Sequence, residues 1–212
     1  MATQIVNGRE FQIYTCYNSN VSRELREDQK KVFDLFKMNI TQELTPMHHP
    51  SWLDSKTKSL KDFDVLVFFD IDAIPLKPGF YEYILDQIGD NNSIIGIEQA
   101  ANHLDPNFVY AGAPCIAMTK IAYQKMGSPS FMNNHRADTA GELTFAALEH
   151  GVDVKFFHIT SSLTKQWKCG PDKYFGLGTV YDDWLYHQFH AADIMSQMQF
   201  KNKANQILQK YA

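Results

Sequence analysis

Five consecutive apolar residues, Val65-Leu66-Val67-Phe68-Phe69, run directly into Asp70-Ile71-Asp72. A short unbroken apolar run rich in β-branched and aromatic residues reads as a strand covered on both faces, as in parallel sheets. Ligands of such sheets bind just beyond the carboxyl ends of the strands, where Asp70 and Asp72 fall. In extended backbone, residues two apart point the same way, so both carboxylates can face one ligand. Without a cation between them, two crowded carboxylates would repel. Hard oxygen donors in this position suit Mg²⁺ or Mn²⁺ with a phosphorylated substrate.

The rest of the chain supplies the partners such a strand needs. Residues 11–15 alternate as a first strand and end in the polar run Thr15-Cys16-Tyr17-Asn18-Ser19-Asn20. Ser22 caps a helix with Leu25, Val32 and Phe36 on one face. Residues 45–50 form a loop, because Pro46 and Pro50 push their predecessors out of helical geometry. Pro78 opens a helix that stops at Gly89, and residues 93–97 form another apolar strand. A polar loop at 98–108 precedes a strand at 109–118 interrupted by Gly112 and Pro114. A short helix at 119–126, a candidate lid at 128–137, a helix at 139–150 and a strand at 152–157 follow. Residues 167–179 read as a loop, and from Tyr181 onward Trp184, Ile194, Met198 and Ile207 keep helical spacing, with Met195 and Met198 as core fillers. This alternation predicts an α/β three-layer sandwich: a mostly parallel but mixed central sheet with helices on both faces. With 212 residues and no linker or repeat, residues 1–212 are expected to be one domain.

Several function classes fall away. A net charge of −4 gives no reason to expect a nucleic-acid partner. The N-terminus lacks a signal-peptide pattern, and no apolar run approaches the roughly 20 residues a membrane span requires. Cys16, Cys115 and Cys169 form neither a zinc pattern nor a paired framework, which predicts a reducing, cytoplasmic setting. The chain has no Gly-x-Gly-x-x-Gly and no Gly-x-x-x-x-Gly-Lys loop, so metal-bound carboxylates rather than a glycine cradle are left to hold phosphate.

In this order of elements, with Asp-x-Asp ending a buried strand, the chain resembles the nucleotide-sugar glycosyltransferases of the GT-A fold. It resembles most the retaining members and the capsid-decorating glycosyltransferase domains of chloroviruses, which implies a viral protein working in the host cytoplasm. The resemblance implies transfer of a sugar from UDP to a glycan or glycoprotein acceptor, with retention of configuration. It implies Mn²⁺, or Mg²⁺, on Asp70 and Asp72 and a late histidine as third ligand. His190 is the first choice, with His187 and His158 behind it. Thr15, Cys16 and Tyr17 would receive the nucleotide, together with the Asp70-Ile71 backbone. Ala111 and Gly112 match the small-residue turn that lets the sugar approach, although Tyr110 replaces the family's asparagine. Lys173 would contact phosphate. Asp138 and Glu142 would serve the sugar or act as base, although Thr139-x-x-Glu142 also reads as a capping box. The chain would work as a monomer or as part of a longer multidomain protein.

Two other classes use similar residues. Phosphohydrolases of the haloacid dehalogenase type also place Asp-x-Asp after an apolar strand, with the first Asp as nucleophile. Their motif lies on the first strand, usually with Thr or Val two residues after the second Asp, where this chain has Ile74. A non-catalytic nucleotide-sugar-binding module is the third class.

Overall fold

The computed structural model describes residues 3–60 and 62–212. In chain order its elements are β1 (Thr3–Val6), β2 (Arg9–Tyr17), α1 (Arg23–Leu35), β3 (Ile40–Leu44), α2 (His49–Ser59), β4 (Val65–Phe69), β5 (Ala73–Pro75) and α3 (Phe80–Ile88). They continue with β6 (Ser93–Ala101), β7 (Asp105–Thr119), α4 (Lys120–Lys125), α5 (Gly141–His150) and β8 (Asp153–Phe157). The chain closes with β9 (Ile159–Cys169), β10 (Lys173–Tyr181), β11 (Leu185–His187) and α6 (Ile194–Tyr211).

The central sheet has the order β1-β2-β4-β7-β6-β8, with β3 also paired to β2. β2 pairs in parallel with β3 and β4, and β6 with β8. β7 runs antiparallel between β4 and β6. β2, β3, β4, β6 and β8 therefore point one way, and the expected mixed α/β sheet flanked by helices is what forms.

β4 shows why. All five of its residues are buried. Val65, Val67 and Phe69 enter one core with Leu25, Val32 and Phe33 of α1, Ile84 of α3 and Phe200 of α6. Leu66 and Phe68 enter the other with Trp52 and Leu53 of α2, Tyr123 of α4 and Leu143 of α5. Period-2 alternation feeds both cores, so neither face of the strand can be polar.

Several local readings need correction. Pro50 does not end the 45–50 segment as a loop; it sits in the first turn of α2, where its missing N–H costs nothing. Residues 98–108 are the continuation of β6 and β7 around a tight turn, and 167–179 belong to the β9–β10 hairpin. The polar composition misled because these strands are partly solvated, so periodicity is faint. Ser22 and Thr119 do cap their helices. No capping box forms at 139–142: α5 starts after Ala140 in the left-handed region. Met195 and Met198 are exposed, because α6 turns Ser196, Phe200, Ala204 and Ile207 inward instead. The 128–137 segment is pinned by the buried Phe131, whose N–H and neighbouring Ser130 hydroxyl both donate to Asp54.

β5, β11, β10 and β9 make a second, antiparallel sheet of four strands. Its first strand begins immediately after the Asp70–Ala73 turn, in which the Ala73 N–H donates to the Asp70 carbonyl at 3.1 Å. The Asp70 N–H donates to the carbonyl of Pro114, at an irregularity where β7 leaves the register of β6. The buried Gln29 of α1 completes the support by donating to the carbonyls of Asp70 (2.8 Å) and Ala73 (3.0 Å). Replacing Gln29 with Leu removes a side-chain donor from both carbonyls and an acceptor from the Gln42 amide. Gln29→Leu is expected to lose about 1–3 kcal/mol of stability by chemical denaturation.

Candidate functional site

The turn after β4 presents Asp70 and Asp72, and the second sheet brings His187 to them. Pairing of β11 with β5 sets His187 opposite Ala73, one residue past the second carboxylate. The Gln188 N–H donates to the Asp72 carbonyl at 3.0 Å and closes the same junction. His187 Nε2 lies 3.1 Å from Asp72 Oδ1 and 3.4 Å from Asp70 Oδ2. One ligand atom from each of the three residues lies within 4.8 Å of the other two. Donors bonded to one divalent ion at about 2.0–2.2 Å must crowd to this degree.

Two carboxylates and one imidazole suit a divalent ion of the Mn²⁺ or Mg²⁺ kind, with carboxylates dominating the donor set. In the metal-free geometry a proton on His187 does the ion's electrostatic work. Burial alone would push the imidazole's pKa down, but Asp72 and Asp70 outweigh it and raise it to about 9. Burial likewise works against the Asp70 charge, yet His49 and His187 hold its carboxyl below the usual range. His187 Nδ1 is buried without a partner among the described residues.

Above these groups opens a cavity of about 280 Å³. Asp70, Ile71 and Asp72 line it from one side, and Cys16 and Tyr17 from the end of β2. Tyr17 carries the Arg26 guanidinium over its ring at 4.5 Å. The Cys16 thiol is no nucleophile: burial, then the Asp70 charge, push its pKa up to about 12.

Other expected residues lie elsewhere. His190 lines the cavity, but its ring stacks on Trp167, and His187 is the histidine at the carboxylates. Thr15 is fully buried and absent from the cavity lining. Ala111 and Gly112 pack inside the sheet, Gly112 beneath the Gln99 side chain. Lys173 is engaged by both oxygens of Glu98 (2.7 and 2.9 Å), far from any phosphate role in this cavity's lining. Glu142 is paired with Arg136 and Asn134. Asp138 lines a second cavity.

His49, read from the sequence with His48 as a loop polar group, belongs to the site instead: at the start of α2 it places Nε2 3.2 Å from Asp70 Oδ1 and lines the same cavity. Pro50 beside it marks the helix start that holds it there.

No protein-family model matches the chain, and neither does any curated protein. Among the solved structures that it resembles are the following three, each a transferase by its description. A Drosophila β1,4-galactosyltransferase 7 mutant, in complex with manganese, UDP-Gal and xylobiose, aligns over 83% of this chain and 70% of its own, at 12% identity and a TM-score of 0.46. A glycosyltransferase involved in glycosylation of the major capsid of PBCV-1 aligns over 54% and 62%, at 11% identity and a TM-score of 0.38. A glucose-1-phosphate thymidylyltransferase from Bacillus anthracis aligns over 92% and 95%, at 8% identity and a TM-score of 0.48. Likeness at this level assigns no activity, which has to come from the site. Among the described residues no helix is long and apolar enough to cross a membrane.

The raised pKa of His187 has a measurable sign. Its ordinary value is about 6.5, so the extra stability of the protonated form is complete below that pH and is lost as pH rises through about 9. Thermal melts of the metal-free protein should therefore show His187→Gln well below wild type at pH 6, with the gap closing by pH 10.

Proposed function

We propose that the chain is a metal-dependent glycosyltransferase that moves a sugar from a UDP-sugar to a glycan or glycoprotein acceptor. The observation that supports this reading is one juxtaposition. Asp70, Asp72 and His187 stand together on one wall of a cavity whose other wall is the polar end of β2. Asp70, Asp72 and His187 are the residues that would hold Mn²⁺ or Mg²⁺. A bound ion would offset, as a Lewis acid, the negative charge that grows on the diphosphate as it leaves.

This chain's own residues supply binding and exclusion. Tyr17 offers an aromatic face beside the cavity, and Cys16 a neutral thiol, for the nucleotide. His49 offers a ring nitrogen near Asp70 that can donate to a phosphate oxygen. In the transfer, the bond between anomeric carbon and diphosphate oxygen breaks with its electron pair going to the diphosphate. The acceptor hydroxyl oxygen bonds to that carbon, and its proton passes to the departing diphosphate oxygen. Asp138 and Glu142 are both outside the cavity lining, and the lining's only carboxylates are the two aspartates. That favours retention, which needs no separate carboxylate base.

Isothermal titration with UDP and GDP, with and without Mn²⁺, tests the reading. UDP should bind only with metal and more tightly than GDP; metal-independent binding, or equal affinity for the two bases, would overturn it. Asp72→Asn should weaken Mn²⁺ binding by more than about 100-fold, since even outer-shell losses reach 10–100-fold. Release of phosphate from an aryl phosphate would favour a phosphohydrolase instead.

A further inference from the structure

A second cavity, of about 340 Å³, opens beside the first, and Phe189 lines both. Its wall is aromatic on one side. Trp167 of β9 meets Phe175 of β10 at 5.3 Å and Phe189 at 5.2 Å between ring centroids. Trp167 also lies parallel to the His190 ring at 5.7 Å, and Phe189 reaches the metal-site imidazole of His187 at 3.8 Å. Four rings thus connect the second cavity to the carboxylate cluster.

The partition is built at a conformational cost. Phe189 and His190 are consecutive non-glycine residues in the left-handed region, at φ 64° and 59°. Such residues are strained and persist only where their surroundings impose them. Here the surroundings are Trp167, Phe175 and His187.

The opposite side is polar and has hydrogen-bonding capacity to spare. Asp138 spends one carboxylate oxygen on the Thr139 N–H at 2.8 Å, and its other oxygen has no partner among the described residues. The side chains of Gln99 and His103, which also line the cavity, have no hydrogen-bond partner among the described residues either. Asn102 is used differently. It donates to the Lys168 carbonyl at 2.8 Å and accepts from the Lys168 N–H at 2.9 Å, which fastens the β6–β7 turn beside Trp167. No lysine or arginine lines this cavity.

We infer that this second cleft seats an uncharged pyranose ring of the acceptor, its apolar face on Trp167 and its hydroxyls on Asp138 and Gln99. An aromatic plane in one lining with unspent hydrogen-bonding groups matches a sugar ring, which has one face of C–H groups and an equatorial fringe of hydroxyls. A lining with one carboxylate and no cation disfavours an acidic sugar or a phosphate. Continuity with the first cavity through Phe189 puts the ring next to the transferred group. The inference rests on the glycosyltransferase reading.

Its test separates the two. Methyl β-galactoside, methyl β-glucoside, methyl α-mannoside and glucuronate are titrated by calorimetry and by ligand-observed NMR into protein saturated with UDP and Mn²⁺. At least one neutral glycoside should bind, and more tightly than glucuronate. Trp167→Ala should weaken it at least tenfold, and Trp167→Phe, which keeps a ring against Phe189 and His190, should restore most of the affinity while keeping wild-type UDP–Mn²⁺ affinity and circular dichroism. Absence of glycoside binding to nucleotide-loaded protein, preference for glucuronate, or unchanged affinity in Trp167→Ala would each overturn the cleft assignment. Should UDP not bind with metal, the functional reading fails by itself, and the same titrations without nucleotide decide the cleft.

Discussion

Two negative charges held side by side at the end of a wholly buried strand are the constraint on which the rest of this structure depends. The protein surrounds them with compensation from every direction. The Asp70 N–H is spent on Pro114, and the carbonyls of Asp70 and Ala73 accept from Gln29, so the turn beneath the carboxylates is fastened to both its neighbours. His49 and His187 approach from opposite ends of the chain, and their imidazoles hold the Asp70 carboxyl below the usual range. Breaking any of these leaves a buried polar group without its partner, which costs more than the bond itself contributes.

Much of this was legible in the sequence. The unbroken apolar run 65–69 can only be a strand covered twice, and it is. Asp70 and Asp72 fall at its carboxyl end because strands in such sheets end at the ligand side. The helices announced themselves through a cap at Ser22 and stops at Gly89 and Gly151, while Thr119 caps a helix it was expected to begin.

What could not be read has physical reasons. The third member of the cluster depends on which residue of β11 pairs with Ala73, a long-range register that no local pattern encodes. His187 and His190 are only three positions apart, and the strand pairing that singles out His187 is not visible locally. Lys173 looked available for phosphate only because its partner, Glu98, lies 75 residues earlier. The β9–β10 hairpin stayed hidden because its exposed residues alternate weakly, and its glycines read as a loop. Gly176 instead marks a close approach: a Cβ there would fall 2.1 Å from the Thr164 carbonyl oxygen across the hairpin.

The cluster also ties together parts of the chain that nothing covalent joins, since Asp72 and His187 are 115 residues apart. An ion held by both would act as a removable cross-link, closing a long loop whose ordering entropy the metal-free protein has to meet by packing and hydrogen bonds alone. The last strand and α6, which is anchored on α1, then share in the binding equilibrium. Occupancy of the site becomes a means of setting how often the C-terminal segment lets go of the sheet.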